Sequence, residues 1–432
     1  MKKILILIVM AIGLLSVPYF VGSTAEAHID KMLANFNQNP NFKVTKVSYS
    51  KGWLSSTASY ELELVVMGDQ QTGGPQIPNM PKFKMSQTLF HGPILWKHDG
   101  LALGLMDSVE TIELPEDWQQ VEEALALSSR ISFDGSIDAS ATLDSVDINE
   151  QGLSVNIMPA IGRFGLSNQG HITASFDWEG LKAEEQNKGG LELSAFHFKT
   201  DQQIVKGEMF SPTAIYSGNF SSTVDNISIM SEIPGASATL SKLALIADSE
   251  VQEELLNINF TFNIAEINAA NQRLTNVVSD LSMLNLDIET MQEFNKLMMD
   301  YQTAMQLNPE ASMEKLAESL QSIVPKLLAK NPVLKINNLG FTVDEGDVVS
   351  ELTMSIDKDK FQAENMDTLI SAIKMDSTGS APNDLFVKYG LGPTIDAFVE
   401  QQLLTRKDAK VGYEFKMLNG ETIVNGNPIP LF

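Results

Sequence analysis

The side chains that could carry out catalysis or bind a metal are few and scattered. The chain has five histidines, His28, His91, His98, His171 and His197, and none of them stands in a His-Glu-x-x-His or similar zinc-ligand spacing. The absence of cysteine excludes disulfides, thiolate metal sites and a cysteine nucleophile. No Gly-x-Ser-x-Gly turn presents a hydrolase serine. The sequence therefore predicts no catalytic residue, no metal site and no cofactor.

Acidic residues leave two further interpretations open. Two carboxylates that face each other across a cleft could hydrolyse envelope polymers, and the 55 Asp and Glu residues mark out no single pair for this role. Residues 144–150 carry the oxygen ligands Asp147 and Asn149 without the glycine spacing of a calcium loop. A carboxylate-dependent hydrolase and a calcium-dependent adhesion module are thus the alternatives to a binding protein.

Composition narrows the class of partner. The 432 residues include 30 Lys and Arg against 55 Asp and Glu, which gives a formal charge of −25. Nucleic-acid binding requires a basic surface that neutralises phosphates, so we predict no nucleic-acid partner. The hydrophobic fraction of 43% is close to that of folded globular proteins.

The N-terminus has the pattern of a membrane segment. Lys2 and Lys3 precede an uncharged apolar run at residues 4–21, which approaches the length that spans a bilayer as a helix. We predict that residues 1–27 are a membrane anchor or a cleaved signal peptide, because small residues at 23–27 also fit a cleavage site. With the lysines in the cytoplasm, the bulk of the chain lies in the periplasm, either tethered to the inner membrane by a single pass or released.

Period-2 alternation dominates the remainder of the chain. It is clearest at residues 58–66, 131–143, 256–264 and 352–356, and the polar positions are mainly Ser, Thr, Asn and Asp. Such strands are typical of antiparallel sheets with one wet face. We predict that residues 131–143 form one long strand, and that Asn419-Gly420 closes a β-hairpin.

Helical spacing is confined to short segments. We predict helices at residues 116–128 and 384–404, the second of which Gly390, Gly392 and Pro393 interrupt, and an αα-hairpin within 288–331. One apolar stripe of this hairpin consists of Met291, Phe294, Met298, Tyr301 and Met305. These side chains either pack the hairpin onto a sheet or form an adaptable surface for an apolar ligand or a partner.

These patterns together predict an α+β, β-dominated fold with long antiparallel sheets, an inserted αα-hairpin, and a C-terminal helix plus β-hairpin. We expect an antiparallel β domain at residues 28–285, the helical hairpin at 286–331, and a mixed C-terminal part of the same unit at 332–432.

Two short motifs combine residue types that suit special backbone positions. The first contains Tyr49, Gly52, Trp53, Ser55 and Ala58. Gly52 would allow a turn or bulge with positive φ between two strands. We interpret this motif, and the one in the next paragraph, as having either a structural role or a role in binding a partner.

The second motif is His91, Gly92 and Pro93, which predicts a tight turn at the end of a strand. Together with residues 420–430 and the basic-apolar N-terminus, the two motifs resemble the YdgA-like family of bacterial envelope proteins, which carries a domain of unknown function. The resemblance covers nearly the whole chain. It implies an inner-membrane-attached periplasmic protein, leaves self-association open, and assigns no catalytic residue.

We therefore predict a non-enzymatic envelope-maintenance protein. It acts either by protein interaction and scaffolding, including a homo-oligomer, or by binding a lipid or other hydrophobic ligand along an apolar sheet face. This second mechanism follows from the long strands with few charges on their apolar side.

Overall fold

The computed structural model describes most of the chain beyond the N-terminal segment. The described residues are 26–27, 29–30, 33–34, 37–38, 42–64, 82–97, 100–114, 118–150, 152–208, 211, 213–233, 235–270, 272–307, 309–362 and 364–429. The predicted membrane segment at residues 4–21 lies outside them, as do His28 and His98.

The described part contains 24 strands. The first twelve are β1 Phe42–Lys51, β2 Ser55–Leu64, β3 Phe83–His91, β4 Ile94–Lys97, β5 Gly100–Leu103, β6 Met106–Glu113, β7 Leu125–Ile131, β8 Ile137–Leu143, β9 Val146–Glu150, β10 Leu153–Ile157, β11 Ala160–Leu166 and β12 His171–Glu185. The others are β13 Gly189–Lys206, β14 Ile215–Ser231, β15 Ala238–Gln252, β16 Leu255–Ala269, β17 Gln272–Asp287, β18 Val333–Val343, β19 Gly346–Ile356, β20 Ile373–Pro382, β21 Thr405–Lys407, β22 Lys410–Leu418, β23 Glu421–Val424 and β24 Asn427–Ile429.

All strands except the β4–β5 hairpin belong to one antiparallel sheet of 22 strands. Neighbours in space are mostly neighbours in sequence, so the sheet is an extended meander. β12 is long enough to pair with β11 along one half and with β10 along the other, and β8 and β9 continue these pairings. Local alternation along the chain therefore builds a single large open sheet, and the predicted β-dominated class is confirmed.

Among the helices whose bounds the structure describes, only one pair is long. These helices are α1 Gln119–Ala124, α2 Ile288–Leu307, α3 Pro309–Leu328, α4 Leu369–Ala372, α5 Asn383–Lys388 and α6 Gly392–Glu400, with a 3₁₀ turn at Met366–Thr368. α2 begins directly after β17, where Ile288 packs with Ile215 and Leu256. The carboxylate of Asp287 caps this helix by accepting bonds from the backbone N–H of Thr290 (2.8 Å) and from its hydroxyl (2.6 Å).

Three sequence predictions about element boundaries are wrong. Residues 131–143 do not form one strand, because a turn at 132–136 separates β7 from β8. In this turn Gly135 has φ +83°, and the Asp134 carboxylate accepts bonds from the backbone N–H and the hydroxyl of Ser136. The short Asp134-Gly135 turn signal therefore outweighs the alternation around it.

The other two corrections concern helices. Within the described residues 118–128, the predicted helix covers only α1, because from Leu125 onward the backbone pairs with β6 and β8 as strand β7. The segment predicted as one helix at 384–404 is split into α5 and α6, and Gly390 between them has φ +72°, which ends the first helix.

The regular pairing is interrupted at the same level in the six adjacent strands β12–β17. In each strand one residue is left out of the ladder pairing, and these residues are Glu179, Ala195, Asp225, Lys242, Ala265 and Asn276. We call these residues the bend row. Three of them, Ala195, Lys242 and Asn276, have left-handed backbone conformations with φ between 49° and 52°.

The bend row shifts the side-chain alternation by one residue in every strand that it crosses. In β13, for example, the apolar positions change from Leu191 and Leu193 to Phe196 and Phe198 at the skipped Ala195. Because neighbouring strands shift at the same level, their apolar side chains stay on one face of the sheet.

Candidate functional site

One face of the sheet carries apolar side chains in continuous rows. Residues that lie directly opposite each other on neighbouring strands share a face, so the register defines each row. One row runs from β11 to β23 and contains Phe164, Ala174, Thr200, Phe220, Ala247, Phe260, Leu281, Ile336, Leu352, Ser377, Phe415 and Val424. With strands about 4.8 Å apart, this row is about 50 Å long.

A second, shorter row lies beside it, and half of its residues are phenylalanine. It contains Gly162, Phe176, Phe198, Ser222, Leu245 and Phe262. Phe176 approaches Phe196 of a third row with ring centroids 5.9 Å apart. Phe198 approaches Phe220 with centroids 5.4 Å apart and planes at 79°. These geometries are favourable for aromatic rings and fix a contiguous apolar surface.

A methionine row lies on the other side of the first row. Met283, Leu334, Met354, Met375 and Met417 stand directly opposite one another on five adjacent strands. All five side chains are half-buried. Unbranched, polarisable thioethers adapt their shape to what they contact, so this row forms a deformable strip along the apolar face.

The apolar face is not closed into a core. In the described part of strands β11–β17, the buried apolar residues are few: Ala160, Ile215, Val224, Leu256 and Ile264. A closed sandwich would bury the inward side chains of every strand. The phenylalanines and methionines of the rows are instead only partly buried, so neighbours shield their sides while part of each surface stays accessible.

The opposite face is polar and carries a groove of about 610 Å³ between β6 and β13. Arg130 in this groove donates two bonds to the buried Asp107, at 2.8 and 3.1 Å. Arg163 and Lys199 lie on either side of Ser175 in the same row. The carboxylates of the groove are Asp107, Asp138 and Asp201, which is where a carboxylate pair for the hydrolase alternative would lie.

A hydrogen-bonded cluster occupies the apolar side of the first strands. The Tyr60 hydroxyl donates to Gln87 (3.1 Å), and the Gln87 amide donates to Glu110 (3.0 Å). Ser108 and Ser129 complete the cluster, with their hydroxyl oxygens 2.5 Å apart. Burial, and then the charges of Tyr49, Asp30 and Glu110, raise the pKa of Tyr60 to about 12. The apolar rows therefore end at a polar, largely buried group of residues.

The first predicted motif forms the end of β1, a turn and the start of β2. Tyr49 pairs with Ala58 and packs near the buried Leu89 and Met106. Gly52 donates its backbone N–H to the carbonyl of Ser55 at 2.9 Å, and Trp53 is exposed in the turn.

Gly52 is needed for a different reason from the one predicted. Its φ is not among the positive values of the described glycines. A Cβ at Gly52 would lie 2.5 Å from the carbonyl oxygen of Ser55, so the close approach of the backbone requires glycine here.

The second motif connects β3 to the β4–β5 hairpin. His91 is buried and donates its backbone N–H to the carbonyl of Leu54 at 2.8 Å. Gly92 has φ +144° and donates to the carbonyl of Leu105, and the carbonyl of Pro93 accepts from Gly104. The structure thus brings the two motifs together at one end of the sheet.

The predicted helical stripe lies on α2. Met291, Phe294, Met298, Tyr301 and Met305 are half-buried along one side of α2. Met291 packs against the cluster at the start of the helix.

Histidines and carboxylates do not converge on a metal site in the described residues, where no group of three or more such side chains could hold an ion. His171 pairs with Asp201 and His197 with Asp177, each at 2.7 Å on the polar face. The segment considered for calcium is largely strand β9, and Asp147 there accepts a bond from Asn156. Across the part of the chain that is described, no helix has the length and apolar character to cross a bilayer.

The methionine row and the bend row are not among the features predicted from the sequence. The change of apolar parity within β13 and its neighbours is visible in the sequence and would have located the bend row. The methionine row depends on the register between distant strands, which no local pattern specifies.

Comparison with known proteins confirms the family resemblance. A family model described as bacterial protein of unknown function (DUF945) matches residues 1–390. Protein YdgA of Escherichia coli (strain K12) is 22% identical over 367 residues, which cover 78% of this chain and 70% of that protein. No solved structure matches the chain significantly.

Proposed function

We propose that this chain, which belongs to the DUF945 family of bacterial proteins of unknown function, is a non-enzymatic envelope protein that binds an elongated hydrophobic ligand along its apolar sheet face. Residues 4–21 would tether it to the inner membrane, with the sheet in the periplasm. The observation that carries the proposal is the set of half-buried, mainly apolar rows, the longest of which crosses strands β11 to β23.

An acyl chain fits the chemistry of these rows. Each buried CH₂ group contributes about 0.8 kcal/mol, so an extended lipid tail gains most from a surface that is long and continuous. Methionine side chains adapt to a chain without a fixed shape, and aromatic rings add a large apolar contact area. Few of the rows' side chains could form directional polar contacts, which favours an aliphatic ligand over a sugar or peptide.

Scaffolding by the same face is the second candidate. A protein partner would cover the apolar rows in the way that a second sheet or a layer of helices covers the apolar face of a sheet within a domain. The half-exposed stripe of α2, with Phe294 and Met298, favours this candidate because it offers a further apolar surface.

Native mass spectrometry of the full chain, extracted in mild detergent, tests the proposal. We expect bound lipid on the wild type and a several-fold lower occupancy on a Phe220→Asp variant. The matched control is Ser221→Asp, whose side chain lies on the polar face of the same strand. Lipid-free wild type across preparations, or equal occupancy in the two variants, would remove the lipid proposal and leave scaffolding.

A further inference from the structure

The loops at one end of the first strands present large apolar side chains to solvent. Trp53 and Leu54, in the turn between β1 and β2, are 56% and 63% exposed. Ile94 and Leu103 face each other across the β4–β5 hairpin and are 60% and 67% exposed. Phe133 is exposed in the turn between β7 and β8. We call these five residues the apolar tip.

These residues lie in three connections: the β1–β2 turn, the β4–β5 hairpin between β3 and β6, and the β7–β8 turn. The pairing register places all three at the same end of the sheet. Lys51 pairs with Ser56 just before and after the first turn, and His91 pairs with Met106 at the base of the second connection. Met106 pairs in turn with Ile131, directly before the third. The backbone bond from His91 to Leu54 joins the first two connections.

The two sequence motifs position three of the five tip residues, Trp53, Leu54 and Ile94. Gly52 allows the close backbone approach to Ser55 that closes the turn in which Trp53 and Leu54 are exposed. Gly92 and Pro93 turn the chain out of β3 into the hairpin that carries Ile94. Leu95, the next residue, is buried and holds the hairpin against the sheet.

The described N-terminal residues run toward this same end. Asn37 exchanges two hydrogen bonds with Val44, at 2.7 and 2.8 Å. Further back in the sequence, Asp30 and Glu26 contact Lys46 at 2.5 and 3.3 Å. The described residues nearer the N-terminus therefore contact β1 closer to its turn, at Lys46, than Asn37 does at Val44.

Ile29 confirms the placement of this segment. It packs against the buried Leu89 and Met106, next to Tyr49 of the first motif. The apolar run at residues 4–21 ends only a few positions before Glu26. A bilayer that takes up this run would lie beside the end of the sheet that carries the apolar tip.

We propose that the apolar tip enters the interface of the lipid bilayer to which residues 4–21 attach the chain. Tryptophan and aliphatic side chains on tight loops suit the region between headgroups and acyl chains. The tip would fix the orientation of the sheet, with the strands of β1–β3 standing away from the membrane surface. The proposal shares with the proposed function only the attachment to the bilayer and needs no ligand on the apolar face.

Single cysteines test this directly, because the chain has none of its own. Full-length Leu54→Cys and Leu103→Cys chains would be labelled with an environment-sensitive fluorophore and reconstituted into vesicles of phosphatidylethanolamine and phosphatidylglycerol. The matched control is Ile233→Cys, which is 69% exposed in the turn between β14 and β15, at the opposite end of the sheet.

We expect the labels at positions 54 and 103 to be quenched by lipids that carry a doxyl group, and protected several-fold from iodide in the water. The label at position 233 should show the reverse. Equal quenching at all three positions, by either agent, would overturn the proposal. Since no cargo is involved, this result is independent of whether the apolar face binds lipid.

Discussion

Phe198 and Phe220 meet edge to face across β13 and β14, with their ring centroids 5.4 Å apart and their planes at 79°. They stand in adjacent rows of a face that continues on both sides for several strands. An aromatic pair of this geometry contributes about 0.5–1.5 kcal/mol beyond its buried area. Here it also joins two rows into one surface, which is the basis of the proposed ligand site.

Met375 and Met417 test whether the methionine row belongs to that surface. Replacing both by glutamine keeps the side-chain length but adds polar groups, so we expect affinity for a fluorescent fatty acid to fall several-fold. Replacing both by leucine should keep most of the binding, because the face stays apolar. Fluorescence titration measures both variants, and an equal loss in the two would show that the row does not contact the ligand.

Lys242 tests the bend row. Its φ of +52° is unfavourable for most side chains and most of all for β-branched ones. Because Lys242 already bears the cost of a left-handed backbone, only the branched Cβ adds strain, and we expect Lys242→Val to lower the free energy of unfolding by about 1 kcal/mol. Lys242→Gly should leave it unchanged or raise it slightly.

Lys242→Asn is the matched control, since it removes the charge near Asp225 but tolerates the left-handed conformation. Urea unfolding compares the three variants. Similar stabilities of the valine and asparagine variants would contradict a strained position at the bend row.

Asp287 tests the capping of α2. Burial alone would raise the pKa of this carboxyl, but the two bonds from Thr290 and the charges of Lys330 and Lys206 outweigh it and lower the pKa below the ordinary 3.8. The ionised cap therefore stabilises the fold fully above that ordinary value, and this contribution is lost as pH falls through the lowered pKa.

Asp287→Ala should lower the free energy of unfolding at neutral pH by about 1–2 kcal/mol, whereas Asp287→Asn keeps a good cap. The advantage of the wild type over the asparagine variant should shrink in acid. Denaturation at several acidic pH values measures it, and a difference that is independent of pH would contradict this account.

Tyr60 tests the polar cluster at the end of the apolar rows. Its pKa is raised to about 12 from the ordinary 10.0, mainly by burial. The neutral hydroxyl therefore stabilises the fold below pH 10, and this contribution is lost as pH rises toward 12. The tyrosinate absorbance that disappears in Tyr60→Phe should titrate near the raised value. A midpoint near the ordinary value would mean that Tyr60 is exposed to water.

The sequence predicts the fold class well because antiparallel strands with one solvent-exposed face show a local alternation of apolar and polar residues. In β16, for example, Asn and Thr side chains alternate with Ile258, Phe260 and Phe262. The ends of strands are harder to predict where two local signals compete. At Asp134-Gly135, for example, a turn signal lies within a run of alternating residues. In β7, pairing with both neighbours overrides the helical tendency that continues from α1.

The candidate sites are predictable only in part for a different reason. The motif at Tyr49–Ala58 is visible as a set of residue types, but its contact with the His91 motif depends on pairing between β2 and β3. Likewise, Met354 and Met375 are 21 positions apart and become neighbours only through the register of β19 and β20. Long-range register follows from the global packing of the sheet rather than from any short segment.

The central claim is that a hydrophobic ligand lies along the apolar rows, and site-specific photo-crosslinking in the cell envelope tests it most directly. A photoreactive residue would replace Leu245 or, as the adjacent control on the other face of β15, Ala244. The account predicts lipid adducts at position 245 and none at position 244. Lipid adducts at neither position, or at both equally, would contradict it.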